Sequence, residues 1–408
     1  MEPLRTDDSI ISSIFALTER ILEKRGTRVP GSQSAISAAD DLLEYMEQFC
    51  HVRKERFIMH PGSQFNIARV MGAAYILSLP LLILGGVFCF IAAVLCVIAF
   101  AYGFVHFFLY GKLFDVFFRK KPGCNVVGEI EPSEAVKKQV IISGHQDSAH
   151  VFSFFSRFEK LAGIRLILAF AFFIFLMAAG IIGSLEMIFT GSADGLSGAY
   201  LITALAGLLF TVPAINFIST KVSPGAGDNL NGSSIAIHLG KFFAENKEYS
   251  LKNTRLIILS TDGEEAGQRG AANYVKLHKD ELKKVPTYLI NIDSIYKQSE
   301  LALMLRDRQG FTKLSKPLAD ICLDAAAALG YTPKKVTLPL GSGTDAAPFA
   351  RAGIAATSII TMSASMFDQG HVYHTLNDNI ESIEHDAVRA VFDIAVNSII
   401  RIDEAKAV

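Results

Sequence analysis

Apolar and polar positions alternate in two quite different ways along this chain. Between Val70 and Tyr110 no Asp, Glu, Lys or Arg occurs. A single helix of that length would measure about 60 Å, twice the roughly 30 Å of a bilayer's hydrocarbon core. Two crossings joined by a tight turn fit better, with the break at Pro80 or at Gly85-Gly86, because a long unsatisfied loop is too costly in lipid. Leu166–Ile182 and Tyr200–Ile218 form a second apolar pair, separated by a connector that contains "GSADGLSGAY". The pattern predicts four transmembrane helices, as hairpin 1 (70–110) and hairpin 2 (166–218).

Outside the hairpins the pattern is that of a globular α/β domain. Short apolar runs at 139–147, 254–265, 287–294 and 354–361 predict strands, and 3.6-residue periodicity predicts helices at 229–246, 271–284, 312–329 and 385–404. The hairpins interrupt this domain without dividing it: 1–69, 111–165 and 221–408 are expected to form one unit. The N-terminal "MEPLRTDDSIISSIFALTER" carries acids where a signal peptide has its basic region, so it is expected to be a soluble helix.

Composition supports a membrane protein, with 50% hydrophobic and 19% charged residues. Lys plus Arg (39) and Asp plus Glu (40) nearly cancel, which gives no general field for nucleic acid. The five cysteines have no paired spacing and suggest a reducing compartment. Positive charge flanks the hairpins on one side: Arg53, Lys54, Arg56 and Arg69 before the first, Lys112, Arg119, Lys120 and Lys121 after it, and Arg157, Lys160, Arg165 and Lys221 around the second. The connector at 184–199 carries Glu186 and Asp194 instead. By the positive-inside tendency the catalytic domain and both termini are expected to be cytoplasmic.

Potential metal donors fall where α/β sheets form ligand crevices, just beyond the carboxyl ends of strands. His145 and Asp147 close one apolar run, Glu264 and Glu265 follow another, and Asp293 closes a third. The turn "SPGAGDNLNGSS" with Asp228 and the loop "FDQGHVYHTLNDN" with His371 and His374 could converge there. Taken singly, each has a plain structural reading: a His held by a carboxylate, a helix N-cap, a solvated histidine pair. Together they supply a complete donor set for two zinc ions, two histidines and three carboxylates with one carboxylate bridging, and one of the adjacent glutamates remains free to act as a base.

In combination and in order, these segments resemble the co-catalytic zinc metallopeptidases that include bacterial leucyl aminopeptidase, aminopeptidase Y and glutamate carboxypeptidase II. "GHQDS" is similar to the family's H-x-D-S stretch, "GAGDNLNG" to its Asp turn, "DGEEAGQRGA" to its Glu-Glu turn, "NIDS" to its third strand end and "YHTLNDN" to its H-T-x-x-D loop. "GTRVPGSQSAISAADDLLEYM" and "GTDAAPFARAGI" match two further segments. The resemblance implies a mixed α/β sheet flanked by helices, of the zinc exopeptidase type. It also implies that Asp228 bridges two zincs, that His145 and Asp293 complete one site, and that Glu265 and His374 complete the other. Glu264 would be the general base, and Asp147 would orient His145; His371 has no counterpart. Asn231, Gln268 and Ala346 depart from the pattern without removing a ligand.

The expected activity is therefore that of a membrane-bound zinc aminopeptidase acting on peptides, apolar or membrane-associated ones in particular. A glutaminyl-cyclase-like acyltransferase and a non-catalytic membrane scaffold are the alternatives. A membrane wall beside the zinc site is the expected reason that hairpin 2 follows His145 so closely.

Overall fold

The computed structural model describes residues 2–154, 161–307, 310–337, 343–363 and 372–405. Arg157, Lys160 and His371 lie outside these residues. In chain order the main elements are α1 (Asp8–Arg25), α2 (Gln33–Met46), β1 (His51–Met59), α3 (Ile67–Leu84), α4 (Phe88–Gly103), β2 (Lys121–Ile130), β3 (Lys138–His145), β4 (His150–Phe152), α5 (Ala162–Thr190), α6 (Gly198–Ala214), β5 (Ile218–Val222) and α7 (Asn231–Glu245). These are followed by β6 (Thr254–Thr261), α8 (Arg269–His278), β7 (Thr287–Ile295), β8 (Ala302–Asp307), β9 (Thr312–Lys313), α9 (Lys316–Ala328), β10 (Lys334–Thr337), α10 (Ala346–Arg351), β11 (Ala355–Thr361) and α11 (His385–Glu404).

One mixed sheet has the order β1-β2-β6-β3-β7-β11-β8-β10, with β9 beside β8. Its centre is parallel: β3 pairs with β6 and with β7, and β7 with β11. Strand β3 is buried along its whole length because α7 and α11 cover one face and α8 and α10 the other. This explains the continuous apolar runs, since parallel strands bury both faces. β1 and β2 extend the sheet as an antiparallel edge. β1 was not legible as a strand: within "HVRKERFIM" only Phe57 and Met59 are buried.

The apolar segments form two hairpins that pack on each other through small residues. Gly180 lies against Ala93, Gly183 against Cys89 and Gly207 against Tyr75, whose hydroxyl donates to Ala204 O at 2.7 Å. Close backbone approach at small residues is how helices associate where the surrounding lipid is itself apolar. The two connectors also touch: Gly86 N donates to Ala193 O and Leu196 N to Leu82 O, both at 2.8 Å. Both tips therefore lie at the same end of the bundle. Three helices, Ile67–Leu84, Phe88–Phe108 and Ala162–Thr190, are long and apolar enough to cross a membrane.

Three expectations need correction. Pro80 lies inside α3, and the break falls at Gly85-Gly86, both at positive φ. The third apolar helix runs from 162 to 190, well beyond the expected 166–182; Glu186 is exposed on its surface near the end and so does not stop it. The fourth ends at Ala214, and residues 218–222, partly assigned to the hairpin, form β5 against β4. At 17 residues it is about 25 Å long.

Candidate metal centre

The parallel strands place their carboxyl ends together. His145 is the last residue of β3 and pairs with Thr261, the last of β6, so the Glu264-Glu265 turn begins beside His145. Asp293 lies near the end of β7, the other neighbour of β3. Asp228 stands in the turn that leads into α7, and His374 in the loop after β11.

All seven expected site residues meet in this crevice, and three overlapping donor groups result: one of His145, Glu264 and Glu265, and two that share Asp228. Donor atoms of His145, Asp228 and Asp293 lie within 4.8 Å of one another, as do those of Asp228, Glu265 and His374. Asp228 belongs to both: His145 Nε2 is 3.3 Å from Asp228 Oδ1, and His374 Nε2 is 3.1 Å from Asp228 Oδ2 and 3.2 Å from Glu265 Oε1. Yet Asp228 Oδ2, Glu265 Oε1 and His374 Nε2 have no hydrogen-bond partner of acceptable geometry, although all three are buried. Buried polar atoms that converge without bonding one another need a further partner at the point they face. A cation with oxygen and imidazole ligands supplies one, and the donor set suits zinc.

Asp147 is the brace of the site. His145 Nδ1 is 3.2 Å from the Asp147 carbonyl oxygen and 3.5 Å from its carboxylate, so the Nδ1 proton is held there and Nε2 faces the cluster. The same carboxylate accepts the backbone N–H groups of Glu264 and Glu265 at 3.2 and 3.1 Å. One side chain thus orients the histidine and pins the Glu-Glu turn.

Two supporting residues were not read from the sequence. Asp378 accepts from Gly227 N at 2.8 Å and Asp228 N at 3.3 Å, fixing the turn that presents Asp228. Arg28, wholly buried, donates to the carbonyls of Gly26, Gln146, Pro224 and Gly225, and its own N–H is accepted by Ser148 Oγ. It ties the β3 end to the Asp228 turn. Asp378 was visible as the last letter of H-T-x-x-D, and Arg28 as a charge inside "GTRVPG", but the groups each would bond come from distant sequence.

The electrostatics are those of a buried cluster rich in carboxylates. Burial opposes charge on His145, but the carboxylates of Asp147 and Asp228 outweigh it and hold its pKa well above the ordinary imidazole value. His374 is likewise buried, but Glu265 and Asp228 raise it to about 10. Burial lifts Asp293 to about 8, and it lifts Glu264 well above the usual carboxylate range. Asp228 runs the other way, because His145 and His374 overcome its burial. A divalent cation reverses this balance by favouring neutral imidazoles and ionised carboxylates.

With this geometry established, comparison with known proteins is decisive over the second half of the chain, where residues 214–399 match Peptidase family M28. That match takes in a little under half of the chain. Aminopeptidase YwaD of Bacillus subtilis (strain 168) is 28% identical over 189 residues, which are 45% of this chain and 39% of that protein. The chain therefore spans well under half the length of that relative. Among solved structures, a glutaminyl cyclase of Fimbriiglobus ruber aligns over 98% of both chains with a TM-score of 0.58 at 12% identity. BSAP, a zinc aminopeptidase from Bacillus subtilis, aligns over 97% of both with a TM-score of 0.57 at 15% identity. These two likenesses show the fold. The family match begins at the last residue of α6, so His145 and Asp147 lie outside it. The sheet returns them to the matched region by placing β3 between β6 and β7.

Proposed function

We propose that the protein is an integral membrane, zinc-dependent aminopeptidase. The observation that carries the reading is the pair of donor triads sharing Asp228, with unbonded buried oxygens and nitrogens aimed at one another. His145 and Asp293 would hold one zinc, Glu265 and His374 the other, and Asp228 both. Zinc held there supplies a Lewis acid for the scissile carbonyl and lowers the pKa of water toward neutrality.

The rest is work for side chains. The Glu264 carboxylate takes the proton of the attacking water and gives it to the leaving amine. Its burial keeps bulk solvent from competing for that proton, and its raised pKa brings it nearer the operating range of a general base. Asp147 keeps the Nδ1 proton of His145 in place and holds the Glu264-Glu265 backbone so that neighbouring side chains face different partners.

The reading extends to the membrane. Four helices in two hairpins return the chain to its starting side, and the basic flanks make that side cytoplasmic. Residues 1–69, 111–165 and 221–408 then form the catalytic domain around hairpins at 70–110 and 166–218. Apolar or membrane-associated peptides are the favoured substrates, because an aromatic path joins hairpin 2 to the site. Phe217, three residues after α6, has its ring 4.5 Å from that of Phe152, and Phe152 lies edge-on to His374 at 4.2 Å. Phe152 N also donates to the His374 carbonyl at 2.9 Å.

The test is a panel of peptides incubated with zinc-loaded full-length protein. Release of the first residue from a free Leu-initiated peptide, but not from its acetylated form, supports the reading. Conversion of a Gln-initiated peptide to its cyclised form without hydrolysis of the others overturns it in favour of acyl transfer.

A further inference from the structure

The segment that leaves hairpin 1, "YGKLFDVFFRKKPG" (110–123), carries features that neither the metal site nor the crossings use. Leu113 is 69% exposed, and Val116 and Phe117 are each 78% exposed, although they stand on the globular domain rather than in a membrane helix. Isolated exposed apolar residues are ordinary, but a contiguous set is not. Ile58, 62% exposed, joins them across the edge of the sheet, since β1 pairs Ile58 with Pro122 and Met59 with Lys121.

Exposed cations surround this group: Lys112, Arg119, Lys120, Lys121 and, two residues before Ile58 on the same strand, Arg56. Asp115 is the one acid between residues 109 and 128, and it is turned inward. Arg269, at the end of the Glu264-Glu265 turn, donates to Asp115 Oδ1 at 3.2 Å and to Gly111 O at 3.0 Å. The outer face is thus left apolar and basic only.

We propose that this face, formed by Leu113, Val116, Phe117 and Ile58 within a ring of Lys112, Arg119, Lys120, Lys121 and Arg56, docks onto a membrane surface rich in anionic phospholipid. Two observations select that occupant. The face is continuous in the chain with the membrane helix that ends only a few residues earlier, so it stands at the height of the headgroups. Its charge is of one sign and complements anionic headgroups, while its aromatic and aliphatic side chains are of the kind that insert at the headgroup and acyl boundary. Docking here fixes the tilt of the domain against the bilayer, and the Asp115–Arg269 contact attaches the docked segment directly to the turn that carries Glu264 and Glu265. The inference rests on hairpin 1 crossing the membrane and is independent of the reaction at the metal site.

The chain contains no tryptophan, so a single introduced indole reports without background. The exposed Phe117 accepts Phe117→Trp without a change in packing. Full-length F117W is reconstituted into vesicles of phosphatidylcholine alone or mixed with phosphatidylglycerol, each made with and without bromine-labelled acyl chains. The expected result is a blue-shifted emission that brominated lipid quenches, more strongly with phosphatidylglycerol and less at high salt. Arg119→Gln, Lys120→Gln and Lys121→Gln together on that background should abolish the phosphatidylglycerol dependence. Emission of a water-exposed indole, unquenched in both kinds of vesicle, overturns the proposal, as does quenching indifferent to anionic lipid and to the three substitutions. Alkaline carbonate extraction separates the premise from the proposal: protein that washes off the vesicles means that hairpin 1 does not span.

Discussion

Replacing Glu264 with Gln isolates one proton acceptor in an otherwise intact site. The substitution keeps shape and volume at a position only 8% exposed. It leaves the local fold alone, because the turn is held by backbone groups: Gly267 N and Gln268 N donate to Glu264 O at 2.8 and 2.7 Å, and Glu264 N donates to Asp147. Neither donor triad built on Asp228 includes Glu264, so metal content should stay at the wild-type level. What is lost is a positioned base, typically about 10²- to 10⁴-fold in rate, or roughly 3–5 kcal/mol of barrier. The assay is kcat for a Leu-initiated chromogenic amide at saturating substrate, with zinc measured on the same sample. E264Q that holds its metal and turns over within about tenfold of wild type would refute the role, since general-base catalysis contributes more than that. Loss of metal along with activity would show instead that Glu264 is a ligand.

Three other outcomes follow from the same geometry. Asp147→Asn cannot accept both backbone N–H groups of the Glu turn, so metal affinity measured by competition with a chelator should fall by about 10- to 100-fold, the usual effect of removing an outer-shell carboxylate. Removing metal should lower the midpoint of thermal unfolding, and zinc at about a hundred times its Kd should restore roughly 3 kcal/mol, read by calorimetry. His238, buried, with Nδ1 donating to Ser234 O and Nε2 accepting from Tyr45, has its pKa pushed down to about 4 mainly by burial. The folded state therefore prefers the neutral ring, so its stabilising effect is present above about pH 6.5 and is lost as pH falls toward 4, at most about 3 kcal/mol. His238→Gln should flatten the wild-type decline in stability over that window, as measured by urea titration.

Strand ends in a parallel sheet are unusually legible, and this explains how much of the site could be read from sequence. "QVIISGHQD", "RLIILSTDGEE" and "LINIDS" each run from buried residues straight into polar ones, because β3, β6 and β7 are covered on both faces and open only at the crevice. The donors at those ends, with Asp228 and His374, stand out from residue type and position alone. The bracing was not legible. Nothing in "GTRVPG" says that Arg28 will meet four carbonyls, three of them more than a hundred residues away, and nothing local tells Asp378 that it will hold the Asp228 turn. The edge strands failed for a different reason. β1 carries four consecutive charged residues, Arg53, Lys54, Glu55 and Arg56, so its hydrophobic signal reduces to Phe57 and Met59. The hairpins were visible from the absence of charge alone, but their ends were not. An exposed Glu186 costs little near a helix terminus, so α5 continues past it to Thr190.

The central claim is a two-metal site bridged by Asp228, and the number of zinc ions per chain tests it most directly. Full-length protein, loaded with zinc and freed of excess by gel filtration, is compared by elemental analysis with Asp228→Asn. The account predicts two ions per wild-type chain and loss of both in D228N, because that carboxylate lies in both donor triads. A wild-type chain that binds one ion, or a D228N chain that keeps two, would contradict it.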